Sequence, residues 1–187
     1  RANLIGMSLG GTIAQIAALS NPKRVKTLTL ISTSPVGVDT SALPHTTDAY
    51  MEHAATGEHV DWTDNAQVIE FLLKDTQMIA GSAHLYDGRQ ARAFVERDVK
   101  RAKNFVSATN HFMLKGGQAL KGKLAELAAP LLVIHGTADP IYPVEHGELL
   151  ARTVKGAKLI RIEGGGHEIH LQDWREITSA IDAHCRP

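Results

Sequence analysis

Apolar residues in this chain fall into short dense blocks separated by longer stretches with helical spacing. Blocks at residues 3–7, 25–32, 131–135 and 158–162 are rich in Val, Ile, Leu and Thr and are too short for helices, so they predict four buried strands. After the first, Ile13, Ile16, Ala17 and Leu19 recur at helical spacing until Asn21-Pro22 stops them. Helices are also predicted over 144–153 and, for the most part, over 168–185. The stretch 36–117 differs. It has helical periodicity around 66–74 and 89–105 but no buried-strand pattern, which predicts a helical insertion between the second and third strands. Strand–helix–strand alternation predicts a mostly parallel sheet with helices on both faces. The expected division is core at 1–35, insertion at 36–117 and core again at 118–187.

Residue 1 is Arg, and the apolar run that follows it reads as the end of a buried strand. The expectation is therefore a C-terminal portion of a longer protein, with further N-terminal strands outside this chain. Composition narrows the class. Twenty Lys and Arg balance twenty Asp and Glu among 187 residues. The chain thus lacks the basic face a nucleic-acid partner would need, and charge gives no reason for membrane-surface binding. The apolar runs are too short to span a bilayer, and no secretory signal opens the chain, so the expected location is the cytoplasm. The single cysteine, Cys185, forbids an internal disulfide and has no predicted base beside it.

Three strand ends carry candidate chemistry. Gly6-Met7-Ser8-Leu9-Gly10 fits G-x-S-x-G between a strand and a helix. So tight a turn demands small neighbours, and side chains at positions 6 and 10 are expected to collide with adjacent elements. Ser8 Oγ would then stand exposed over the sheet as a nucleophile, with the Leu9 N–H at a helix start as an oxyanion donor. An N-capping serine in a Gly-rich turn is the plainer alternative. His135-Gly136-Thr137-Ala138-Asp139-Pro140 follows the third strand, at the sheet edge where open α/β proteins place their sites. Asp139 there can orient an imidazole, or simply cap a turn. His167 follows three glycines after the fourth strand. His167 and His170 lie three apart, not four as in H-E-x-x-H, and without a partner carboxylate or cysteine cluster no metal is expected. The order Ser8, Asp139, His167 is that of one hydrolase fold.

On these motifs the chain resembles the C-terminal two-thirds of an α/β-hydrolase-fold protein. GMSLGG at 6–11 is similar to the nucleophile elbow, HGTADPIYP at 135–143 to the acid loop and GGGHE at 164–168 to the histidine loop. Within the family it is most similar to single-chain esterases with a helical cap, of the polyketide methylesterase kind. Their cap also runs through a charged helix into an aromatic–Met/Leu stretch, as 97–114 does here. The resemblance implies Ser8 as nucleophile, His167 as base and Asp139 as its orienter. It implies a cap formed by the insertion, and the first strands and second oxyanion donor are absent from the chain.

The implied reaction is hydrolysis of a carboxylic ester or similar acyl compound through an acyl-enzyme, with a small-molecule substrate and no cofactor. C–C hydrolases, peptidases and cofactor-free haloperoxidases share the machinery, and a non-catalytic binder on the same scaffold is the rival class. Serine rather than aspartate at position 8 argues against dehalogenase and epoxide-hydrolase chemistry. Met7, Trp62, His111, Met113 and Ile141 are the expected pocket residues. Without N-terminal strands the first strand would expose an edge, open to aggregation or to a homodimer.

Overall fold

The computed structural model describes residues 1–113 and 118–186, without the side chains of 109, 112, 113 and 118. Four strands, β1 (Ala2–Met7), β2 (Val25–Ile31), β3 (Leu131–Gly136) and β4 (Lys158–Ile162), form a wholly parallel sheet in the order β1-β2-β3-β4. β3 is buried along its whole length, as its unbroken apolar run requires. β1 shows the open edge expected of it without further N-terminal strands. It is an edge strand, mostly exposed, and Ile5 stands 53% open.

Helices α1 (Leu9–Ser20) and α5 (Val144–Thr153) cover one face. Ala14, Ala18, Leu150 and Val154 pack there against Leu28, Leu30, Leu131 and Val133. Helix α6 (Trp174–Cys185) covers the other, with Ile177 against Ile31, Leu132, Ile134 and Ile162. It starts later than expected, because a 3-10 turn at Leu171–Asp173 precedes it. Gln15, fully buried on α1, donates to Ser34 O at 3.0 Å and accepts from Val36 N at 2.9 Å, which pins α1 to the chain leaving β2.

Between β2 and β3 run α2 (Asp48–Ala55), α3 (Asn65–Ile79) and α4 (Gly88–Arg101). Thr47, Asp64 and Asp87 cap them through side-chain oxygens. Helix α2, at eight residues, is too short for its apolar positions to show a period. Val68, Val95 and Val99 form a small core of their own, joined by Leu72, Leu73, Trp62 and Phe105. The charged helix ends at Arg101, earlier than its periodicity predicts, and 3-10 turns follow from Phe105.

The insertion is fastened to both loops at the carboxyl edge of the sheet. Thr47 N donates to Pro140 O and Thr46 Oγ1 to Ile141 O, both at 2.9 Å. On the other side His167 N donates to Ile79 O at 2.9 Å, and Ser82 N to Gly164 O at 2.7 Å. That junction is backbone on backbone. A Cβ on Gly166 would lie 2.2 Å from Ile79 O, so only glycine permits the approach.

Candidate active site

Ser8 links β1 directly to α1. Its backbone is in the left-handed region, with φ 52° and ψ −123°, a strained conformation for a non-glycine residue. Four bonds among the described residues hold it there: Ser8 N donates to Ile31 O at 3.0 Å, while Gly11 N, Thr12 N and Thr33 Oγ1 donate to Ser8 O at 2.9, 3.3 and 2.7 Å. The expected pair of crowded glycines is corrected at one position. A Cβ on Gly6 would meet Gly10 O at 2.3 Å, but a Cβ on Gly10 would meet nothing within 4 Å. The second tight position is Gly11, where a Cβ would lie 2.6 Å from Thr33 Cγ2. Leu9 is the first residue of α1, so its N–H is one of the orphan donors at a helix start.

Asp139 is 4% exposed, and its carboxylate accepts three hydrogen bonds. Oδ1 takes the N–H groups of Ile141 and Tyr142, each at 2.9 Å, and Oδ2 takes His167 Nδ1 at 2.8 Å. The backbone bonds fix the carboxylate plane, and the carboxylate fixes the imidazole. Because Asp139 accepts, Nδ1 carries the proton of neutral His167, and Nε2 presents its lone pair. Tyr142 borders the ring, its centroid 5.9 Å from that of His167.

The structure thus brings Asp139 and His167 together. Ser8 stands on the same sheet edge, two strands from the end of β3 that leads to Asp139 and three from the end of β4 that leads to His167, and among the described residues its Oγ makes no hydrogen bond to His167. His135, fully buried, donates Nε2–H to Tyr142 O at 2.7 Å. Burial holds its pKa below the ordinary value, so it stays neutral and supports the acid loop.

The pocket expectations fare unevenly. Met7 ends β1, half-buried against the α6-side core, and Ile141 lies in the acid loop. Trp62 packs inside the insertion instead, its indole N–H bonded to Gly57 O at 3.1 Å and its ring beside Phe71 and Phe105. An aromatic in a helical insertion buries most area against its own small core. His111 is exposed on the 3-10 segment, and the side chain of Met113 lies outside the described residues.

Two clusters escaped the sequence. Tyr50 OH donates to Asp75 Oδ1 at 3.2 Å, with His53 Nε2 3.5 Å from the same oxygen. His170 is not paired with His167. It stacks on His84 at 4.2 Å between ring centroids, and His84 Nε2 bonds Asp173 Oδ1 at 2.9 Å. The donor atoms of these three lie within 4.8 Å of one another, a set of the kind zinc accepts, and here they close on each other as a clasp between the insertion and the 3-10 turn before α6. No spacing links 75 to 50 or 84 to 173, so only the fold reveals either cluster.

A parallel α/β sheet with its polar groups gathered on loops at the carboxyl edge defines a class of open-sheet protein. Within that class the chain belongs to the α/β hydrolase fold family, whose model matches residues 1–173. Rhodomycin D methylesterase DauP from Streptomyces sp. (strain C5) is 28% identical over 99% of this chain and 67% of its own length. A pimeloyl-[acyl-carrier protein] methyl ester esterase from Nitrosomonas europaea is 28% identical over 98% of this chain and 71% of its own. Among solved structures, an esterase (EaEST) from Exiguobacterium antarcticum superposes with a TM-score of 0.73 at 20% identity, covering 99% of this chain and 66% of that one. The chain thus spans about two thirds of the length of these relatives.

Proposed function

We propose that the protein hydrolyses carboxylic esters, methyl esters among them, through Ser8, His167 and Asp139. The observation that carries this reading is the 2.8 Å Asp139–His167 bond on the same sheet edge as a strained Ser8. Two relatives named as methyl ester esterases supply the substrate class.

Ser8 Oγ attacks the ester carbonyl and passes its proton to His167 Nε2. Asp139 stabilises the imidazolium without taking its proton. The Leu9 N–H faces the developing oxyanion, a contact whose loss costs on the order of a hundredfold in rate. The tetrahedral intermediate collapses, the alkoxide leaves with the proton from Nε2, and the acyl group remains on Ser8. Water then attacks with His167 as base, releasing the acid and restoring Ser8. These steps use only this chain's residues and water. The insertion, fastened to both loops, serves as the cap that shapes the substrate site.

The test is a panel of p-nitrophenyl and methyl esters of graded acyl length, assayed beside matched amides. Ester turnover that disappears in Ser8→Ala supports the reading. Turnover of amides alone, or of no acyl compound at all, contradicts it.

A further inference from the structure

We propose that Asp75, held by Tyr50 in the insertion fastened to the loops of Asp139 and His167, is a recognition site for a hydrogen-bond donor, hydroxyl or ammonium, carried by the substrate. The inference rests on the hydrolase reading and specifies what that site accepts.

Asp75 lies one helical turn before Ile79 on α3, and therefore on the same face. Ile79 O is the acceptor of His167 N at 2.9 Å. Tyr50 lies in the first turn of α2, whose capping residue Thr47 donates to Pro140 O beside Asp139. The Tyr50–Asp75 bond at 3.2 Å therefore joins the two insertion segments that touch the acid loop and the histidine loop. Burial raises the pKa of the Asp75 carboxyl, against the lowering effect of the Tyr50 hydroxyl and of His53.

The two carboxylate oxygens of Asp75 are not equally served. Oδ1 is occupied by Tyr50, with His53 Nε2 at 3.5 Å. Oδ2 makes no hydrogen bond among the described residues, while the side chain keeps 26% of its surface open. His53 is 8% exposed, and its Nε2 is buried without a hydrogen-bond partner. Oδ2 is open at the surface of the side chain and free to accept one further hydrogen bond, and an apolar lining would suit a purely apolar substrate better. A donor on the substrate supplies what Oδ2 lacks.

The test uses methyl hexanoate, methyl 3-hydroxyhexanoate and methyl 6-aminohexanoate as probes, with kcat and KM measured separately. The protein is expected to favour at least one donor-bearing ester over methyl hexanoate by about tenfold in kcat/KM, and the favoured probe tells hydroxyl from ammonium. Asp75→Leu should bring that preference close to one through KM, and Tyr50→Phe should weaken it. Fluorophosphonate labelling of Ser8 reports whether each variant keeps its site, so Tyr50→Phe carries the test if Asp75→Leu does not fold. No preference in the parent, a preference untouched by both variants, or equal loss on all three esters overturns the proposal. Turnover of methyl hexanoate surviving Ser8→Ala would instead strike at the hydrolase reading itself.

Discussion

Ser8 keeps φ at 52° because Ile31, Gly11 and Thr33 all bond its backbone. Strain of this kind costs about 1–3 kcal/mol and persists only where the surroundings enforce it. Ser8→Ala and His167→Ala should each abolish ester turnover with little change in melting temperature. Asp139→Asn should cost about ten-thousandfold, the loss seen when an imidazole is held in the wrong tautomer. A pH titration of stability probes His135. Its pKa is depressed by burial, so the unfolded chain takes up a proton that the folded chain refuses, and stability should fall as pH drops below about 6.5. Chemical denaturation of the parent and of His135→Gln from pH 7 to 5 should show the flatter slope in the variant. The strained turn at Ser8 and the Asp139–His167 pairing were legible because each residue sits in a local motif at a strand end. Asp75 was not, since its partners His53 and Tyr50 reach it only through the packing of α2 on α3.

Among elements, the β1–α1 turn shows how a motif can be right while its reason is misplaced. Gly6 is crowded by Gly10 O at 2.3 Å and Gly11 by Thr33, whereas Gly10 itself faces open space. Gly10→Ala should therefore be neutral or stabilise by up to about 1 kcal/mol, since alanine suits a helix better than glycine. Gly6→Ala meets backbone that cannot yield, and should lower both melting temperature and turnover. Thermal melts and p-nitrophenyl acetate assays on both variants check the contrast. The strands were legible within a residue or so because apolar blocks bounded by breakers have few other solutions. Helix α2 was not, because it buries only Tyr50 and His53 and takes its support from α3.

For the molecule as a whole, the sheet's exposure is lopsided. β3 is buried throughout, while β1 presents an edge with Ile5 53% and, on the neighbouring helix, Ile13 56% exposed. Unpaired strand edges with apolar side chains template association. The 187-residue chain by itself should scatter light in a concentration-dependent way. Ile5→Lys should reduce that scattering without lowering the melting temperature. Equal scattering from the parent and from Ile5→Lys would show that the edge is harmless. Parallel order and helices on both faces followed from the alternation of elements. The exposed edge of β1 followed from its place at the start of the chain, with no earlier strand here to pair with it, whereas the exposure of Ile13 on α1 did not.

The proposed ester hydrolysis turns on Ser8 as the nucleophile, with His167 as its base. The most direct measurement is the intact mass and peptide map of the protein after reaction with a fluorophosphonate. One adduct is expected, on Ser8, formed at least about a hundredfold more slowly in His167→Ala, within the range that loss of a positioned general base costs. An adduct on another residue, or none on Ser8 in a protein that still turns over esters, would contradict it.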